Sequence, residues 1–143
     1  MSFDPVQYKT TTRQQWEDAA EAWHRWGPIL ENWLGESTQR MLDGAGVTAG
    51  SSVLDIAAGA GGQTLAAARR TGADGRVVAT DISPTILTFT AKQAAEEGLT
   101  NVETVEADGE QGPLLAGAEV DGQPVGDDRQ RSQHPNLDLC HWQ

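Results

Sequence analysis

At 143 residues the chain has room for one domain with a core of its own. Its formal net charge of −11 repels phosphate backbones, and its Lys and Arg are scattered, so nucleic acid is excluded as an expected partner. A lone cysteine, Cys140, rules out an internal disulfide, and no apolar run approaches a membrane span; a cytoplasmic protein with no membrane partner is expected.

Residues 1–48 carry a helical pattern. Trp16, Ala19, Ala20, Trp23, Trp26, Leu30 and Trp33 recur at three- and four-residue spacings. Thr12 is the expected cap of the first helix. Gly27-Pro28 is expected to end it, because proline removes a donor and restrains the residue before it. A second helix is predicted from Pro28 to Gly35, and a third from about Ser37 to Leu42, closed by Gly44-Ala45-Gly46. Trp16, Trp23, Trp26 and Trp33 at this spacing read as core or domain packing. His24, a single histidine on an amphipathic helix, reads as a surface or packing residue.

Residues 51–107 alternate between strand and helix. Strands are predicted at Ser52–Ile56, Arg76–Thr80 and Asn101–Glu106. Helices are predicted from about Gly62 to Arg70 and from Pro84 to about Glu97, the second stopped by Gly98. Such alternation predicts a parallel sheet with helical crossovers. Residues 111–143 break the rhythm: they hold three of the six prolines, four glycines and the polar run Gly126–Gln133. They read as an irregular or disordered tail. The expected fold is therefore α/β, with N-terminal helices (1–48), a partial Rossmann-like parallel sheet of three recognisable strands (49–110) and an irregular C-terminal tail (111–143).

The chemistry concentrates after the first strand, in Val53-Leu54-Asp55-Ile56-Ala57-Ala58-Gly59-Ala60-Gly61-Gly62-Gln63-Thr64. Glycines at 59 and 61 let the backbone approach a ligand, and the helix that follows presents free N–H groups. Asp81, twenty residues after Gly61, closes the second strand and is placed to receive a ribose. A dinucleotide fingerprint needs a third Gly or Ala where Thr64 stands. Asp55 before the loop would also repel a pyrophosphate, and suits a ligand with an ammonium or sulfonium group. That charge argument favours S-adenosylmethionine (SAM) over NAD. No paired spacing makes His134, Cys140 and His141 a metal site.

Val53–Gly62, Val78-Ala79-Thr80-Asp81-Ile82-Ser83-Pro84 and Asn101–Asp108 resemble, in order and spacing, the first three motifs of class I SAM-dependent methyltransferases. The nearest flavour is the ubiquinone/menaquinone-biosynthesis C-methyltransferase group, with Ala57 standing where the family loop has its first glycine. The resemblance implies that Asp55 faces the methionine amino group, directly or through water. Ala57, Gly59 and Gly61 would border the methionine moiety. Asp81 would accept both ribose hydroxyls, Ile82 would pack on adenine, and Asp108, beside Gly109, would take the adenine amino group. It also implies N-terminal helices that cover the cofactor, with Tyr8, Trp23 and Trp26 as lid residues.

After Glu110 the family's fourth strand has no counterpart, and a truncated relative is expected. The first strand would then be an exposed sheet edge, open to pairing in a homo-oligomer. The alternative is a strand or dimer contact from 114–120 and 137–142. Two functions follow: a SAM-dependent methyltransferase acting on a small molecule, or a non-catalytic SAM- or adenosine-binding module or inactive fragment that needs a partner. A nicotinamide-dependent enzyme is a weaker third.

Overall fold

A computed structural model describes residues 3–109, together with the backbone of three short strands at 119–120, 123–124 and 137–141. Helix α1 (Pro5–Gly44) leads into β1 (Ser52–Ile56), α2 (Gly62–Thr71), β2 (Arg76–Asp81), α3 (Pro84–Glu96) and β3 (Val102–Glu106). β4 (Glu119–Val120), β5 (Gln123–Pro124) and β6 (Leu137–His141) follow. The strand and helix bounds between residues 52 and 106 fall within a residue or so of those expected from the alternation.

The main sheet has the order β3-β2-β1-β6, with every pairing parallel. β4 and β5 form a separate antiparallel pair. β1 and β2 are central strands, and their continuous apolar runs follow from burial on both faces: Val53, Leu54, Val77, Val78 and Ala79 are all buried. Ala66, Ala67 and Ala68 of α2 pack on Val53 and Val77, joined by Leu42 and Val47. Small side chains let α2 lie close to the sheet, while α3 adds Leu87 against Ala79 and Ala58.

Two expectations change. β6 runs along the outer side of β1, so β1 is not the exposed edge foreseen; the edges of this sheet are β3 and β6. β6 corresponds to the strand weighed for residues 137–142, and the remainder of the tail lies outside the described residues. Chain order reverses between β1 and β6, the kind of position at which open α/β sheets bind ligands beyond the strand ends.

The N-terminal region is one helix of 40 residues rather than three. Its cap is Asp4, whose carboxylate accepts from the N–H groups of Val6 and Gln7, not Thr12. Pro28 lies inside it. An internal proline loses one hydrogen bond and crowds a carbonyl, at a cost of about 3 kcal/mol. Side-chain ties on both halves hold the helix through that defect. Lys9 pairs with Asp108 at 2.7 Å, Arg13 with Glu106, and Glu17 accepts from the Thr85 hydroxyl. Further along, Arg69 bonds Glu31 at 3.0 Å, and Arg70 bonds Asp43 and Gln39 at 2.6 and 2.5 Å. Lys9, Arg13 and Glu17 are four residues apart, so they share one helical face and reach the same end of the sheet.

Nor are the tryptophans of α1 core. Trp16, Trp23, Trp26 and Trp33 all remain substantially exposed, with Trp33 at 76%. His24 does pack, lying flat on Phe89 of α3 with ring centroids 4.4 Å apart.

Candidate functional site

The loop after β1 is shaped by backbone conformation. Ala57, Gly59 and Gly61 all have positive φ, at 60°, 55° and 86°. Ala57 is the described residue that does so without being glycine. An L-residue in that region costs about 1–2 kcal/mol, partly offset by the smaller entropy it loses relative to glycine. Ala57→Gly is therefore expected to stabilise the fold by about 0.5–1 kcal/mol, read as a higher urea midpoint with an unchanged slope. A lower midpoint would show that the loop does not hold this conformation.

Asp81 and Thr90 fasten the loop. One Asp81 carboxylate oxygen accepts from the Gly59 N–H and the other from the Ser83 N–H, both at 2.9 Å. The Ser83 hydroxyl oxygen accepts in turn from the Ile86 N–H and caps α3. Thr90 donates its hydroxyl to the Gly59 carbonyl at 3.2 Å. A Cβ on Gly61 would lie 2.7 Å from the Thr90 methyl, so α3 packs directly on the loop backbone. Each Asp81 oxygen keeps acceptor capacity beyond its backbone bond, and the side chain borders a cavity.

That cavity has a volume of about 990 Å³. Its floor is the loop and strand ends, including Ala57, Gly59, Asp81, Ile82 and Gly109. Its other wall is α1, through Trp16, Trp23, Leu30 and Leu34. Five of the eight residues expected at the site thus share one cavity. Gly61 lies behind the loop surface.

Asp55 is set back from the cavity. It is 3% exposed and accepts the Thr64 hydroxyl at 2.6 Å. Thr64, which in the sequence spoke against a dinucleotide fingerprint, is the partner that satisfies this buried acid. Burial pushes the Asp55 carboxyl up to about 6, opposed by the Thr64 hydrogen bond and assisted by the negative charge of Asp81. The folded pKa lies above the unfolded one, so the contribution to stability is fullest below about pH 4. It is lost as pH rises through about 6 and is level above that. Asp55→Asn is expected to remove this descent and leave the variant more stable than the wild type at pH 8, in urea midpoints measured from pH 4 to 8. Parallel profiles for the two proteins would contradict it.

Asp108 also differs from expectation: it holds Lys9 of α1 and is not part of the cavity wall. Tyr8 and Trp26, expected as lid residues, point elsewhere; Tyr8 is 60% exposed and packs on Phe3, and Trp26 is 52% exposed. Sequence reading missed Trp16, Gln63, Leu34 and Gln93 as lining, and Thr90 as a fastener. Thr90 had a signal in its four-residue spacing from the buried Ile86; the others had none without knowing how α1 lies. Among the described residues, no group of three His, Cys, Asp or Glu is placed to hold a metal, and no helix is long and apolar enough to cross a membrane. Cys140 and His141 are described by backbone alone, and His134 lies outside the described residues.

A parallel β-α-β-α-β unit with a glycine loop after β1 and an acid at the end of β2 defines a Rossmann-like nucleotide-site domain. Residues 53–122 match the family model described as "Methyltransferase domain". The ubiquinone/menaquinone biosynthesis C-methyltransferase UbiE of Idiomarina loihiensis is 41% identical over 74 residues, covering 51% of this chain and 30% of that protein. The aklanonic acid methyltransferase DauC of Streptomyces sp. strain C5 is 30% identical over 103 residues, covering 72% of this chain and 46% of that protein. A solved structure assigned to the S-adenosyl-L-methionine-dependent methyltransferases, from Methanococcus maripaludis, superposes with a TM-score of 0.58. At 21% identity, over 68% of this chain and 44% of that one, it supports the fold alone. Over residues 53–122 the chain is thus similar to the methyltransferase domain of class I SAM-dependent methyltransferases. It spans 30% to 46% of the length of these curated relatives.

Proposed function

We propose that this chain binds SAM at the glycine loop and transfers the sulfonium methyl to a small molecule held under α1. The observation that carries this reading is the Asp81 carboxylate, fixed by the Gly59 and Ser83 N–H groups, on a cavity shared by the loop and α1. Bound SAM would supply the electrophilic methyl. Asp81 accepts the two ribose hydroxyls on its remaining lone pairs. Ile82 packs on the adenine face, with Gly109 beside it, and Asp108 takes the adenine amino group in competition with Lys9. Gly59, and Ala57 before it, border the methionine moiety, and Gly61 sets the turn. Asp55, enclosed behind the loop, acts on the ammonium group through the intervening loop or a water rather than by direct contact. Residues 1–48 serve as the lid and 49–110 as the cofactor half. Transfer is an in-line displacement, and the protein's part is positioning and exclusion of water. A cytoplasmic site of action and self-association through a free sheet edge belong to the same reading.

One observation favours a second reading, a non-catalytic SAM- or adenosine-binding module. Glu31 and Asp81 are the acids on the described lining; Glu31 is bonded to Arg69, and Asp81 to backbone N–H groups. No unengaged base faces the cavity from the described residues. The two readings separate by incubating the chain with SAM and a panel of phenols, quinols and amines, with methylated product read by mass spectrometry. Methylated product is expected. SAM binding without any product would leave the second reading.

A further inference from the structure

Trp16 and Trp23 are large aromatic side chains that the fold leaves only partly covered. They are 42% and 39% exposed, and their ring centroids lie 6.0 Å apart at 44°. That is the spacing of an interacting aromatic pair, tilted so that ring edges and faces turn to what lies beside them. Both line the cavity opposite the glycine loop. Leu30 and Leu34 extend the same wall, and Ile86 meets it from α3. The volume of about 990 Å³ stands at the top of the range for ligand pockets, roughly 300–1,000 Å³. It leaves room for a second molecule beside a nucleotide held at Asp81.

Charge narrows the class of that molecule. The described lining includes Asp81 and Glu31 and neither Lys nor Arg. The remaining polar side chains long enough to reach a ligand, Gln63 and Gln93, are uncharged. A carboxylate or phosphate entering here would lose its hydration beside the Asp81 charge, with no Lys or Arg on the described lining to meet it, the nearby Arg69 being already paired with Glu31. A flat aromatic molecule loses little hydration and gains contact with two indoles, and a cationic substituent gains further from their faces.

We infer that the α1 side of the cavity is the acceptor site, and that it takes planar aromatic acceptors bearing no negative charge, with Trp16 and Trp23 as its specificity-determining residues. This rests on the methyltransferase reading for the word acceptor, but not for the ligand class. The site would bind neutral or cationic arenes in the absence of any nucleotide.

The test uses the full chain and three probes of one shape: naphthol, naphthylmethylammonium and naphthoate, titrated at neutral pH by naphthyl fluorescence. Naphthol and the ammonium probe are expected to bind, and naphthoate to bind about tenfold more weakly or less. The Trp16→Leu/Trp23→Leu double variant should lose about tenfold in naphthol affinity, and Trp16→Phe/Trp23→Phe should keep most of it. Thermal midpoints confirm that both variants are folded. Naphthoate binding as tightly as naphthol would overturn the inference, and so would a Leu variant that binds naphthol like the wild type. Calorimetry with SAM on the same samples separates the two readings. Naphthol binding with no SAM heat keeps the aromatic site and removes the methyltransferase reading. SAM binding with no naphthol binding removes the aromatic site alone.

Discussion

Gly61→Ala should lower the stability of the chain by about 4 kcal/mol, the sum of two separate penalties. Gly61 has φ of 86°, where a Cβ meets its own backbone at a cost of about 1–2 kcal/mol. The new methyl would also lie 2.7 Å from the Thr90 methyl and 2.8 Å from its hydroxyl oxygen. Thr90 is fully buried and short, so it cannot swing aside, and overpacking of this kind adds about 1–3 kcal/mol. Adding Thr90→Ala should restore the steric part and leave the backbone part. Urea titration of the single and double variants reads both terms. Equal instability of the single and the double variant would show that Thr90 is not what the loop packs against.

Asp81→Ala should reduce affinity for SAM by about a hundredfold, close to 3 kcal/mol. Part of the loss is direct, because a charged acceptor for two hydroxyls is gone. Part is indirect, because the Gly59 and Ser83 N–H groups lose the carboxylate that orients the loop and the start of α3. Asp81→Asn separates the two. The amide keeps one acceptor for a backbone N–H but surrenders the charge, so its loss should fall between wild type and Asp81→Ala in calorimetric titration. An Asp81→Ala variant with wild-type affinity would remove the ribose assignment.

The region from 52 to 106 was legible because its residues say the same thing at every level. Apolar runs flanked by glycines marked β1 and β2, Pro84 and Gly98 marked the ends of α3, and the alternation set the parallel topology. The N-terminal helix was less legible, since Gly27-Pro28 carries a strong local stop signal. What overrides it is long-range: the ties of Lys9, Arg13 and Glu17 to Asp108, Glu106 and Thr85, and of Arg69 to Glu31. Helical spacing put Trp16 and Trp23 on one face of α1, but not what that face meets. It meets a cavity, which is why core packing was the wrong expectation. For the candidate site, the loop and Asp81 were visible as a motif. The enclosure of Asp55 by Thr64 and the engagement of Asp108 by Lys9 depend on contacts between residues that no sequence spacing brings together.

The claim on which the rest depends is that the loop and Asp81 form a SAM site in this chain. Calorimetric titration of the full chain with SAM, and separately with NAD, tests it most directly. Saturable heat with SAM at one site per chain is expected, and none with NAD at the same concentrations. Heat with NAD but not with SAM, or with neither, would contradict it.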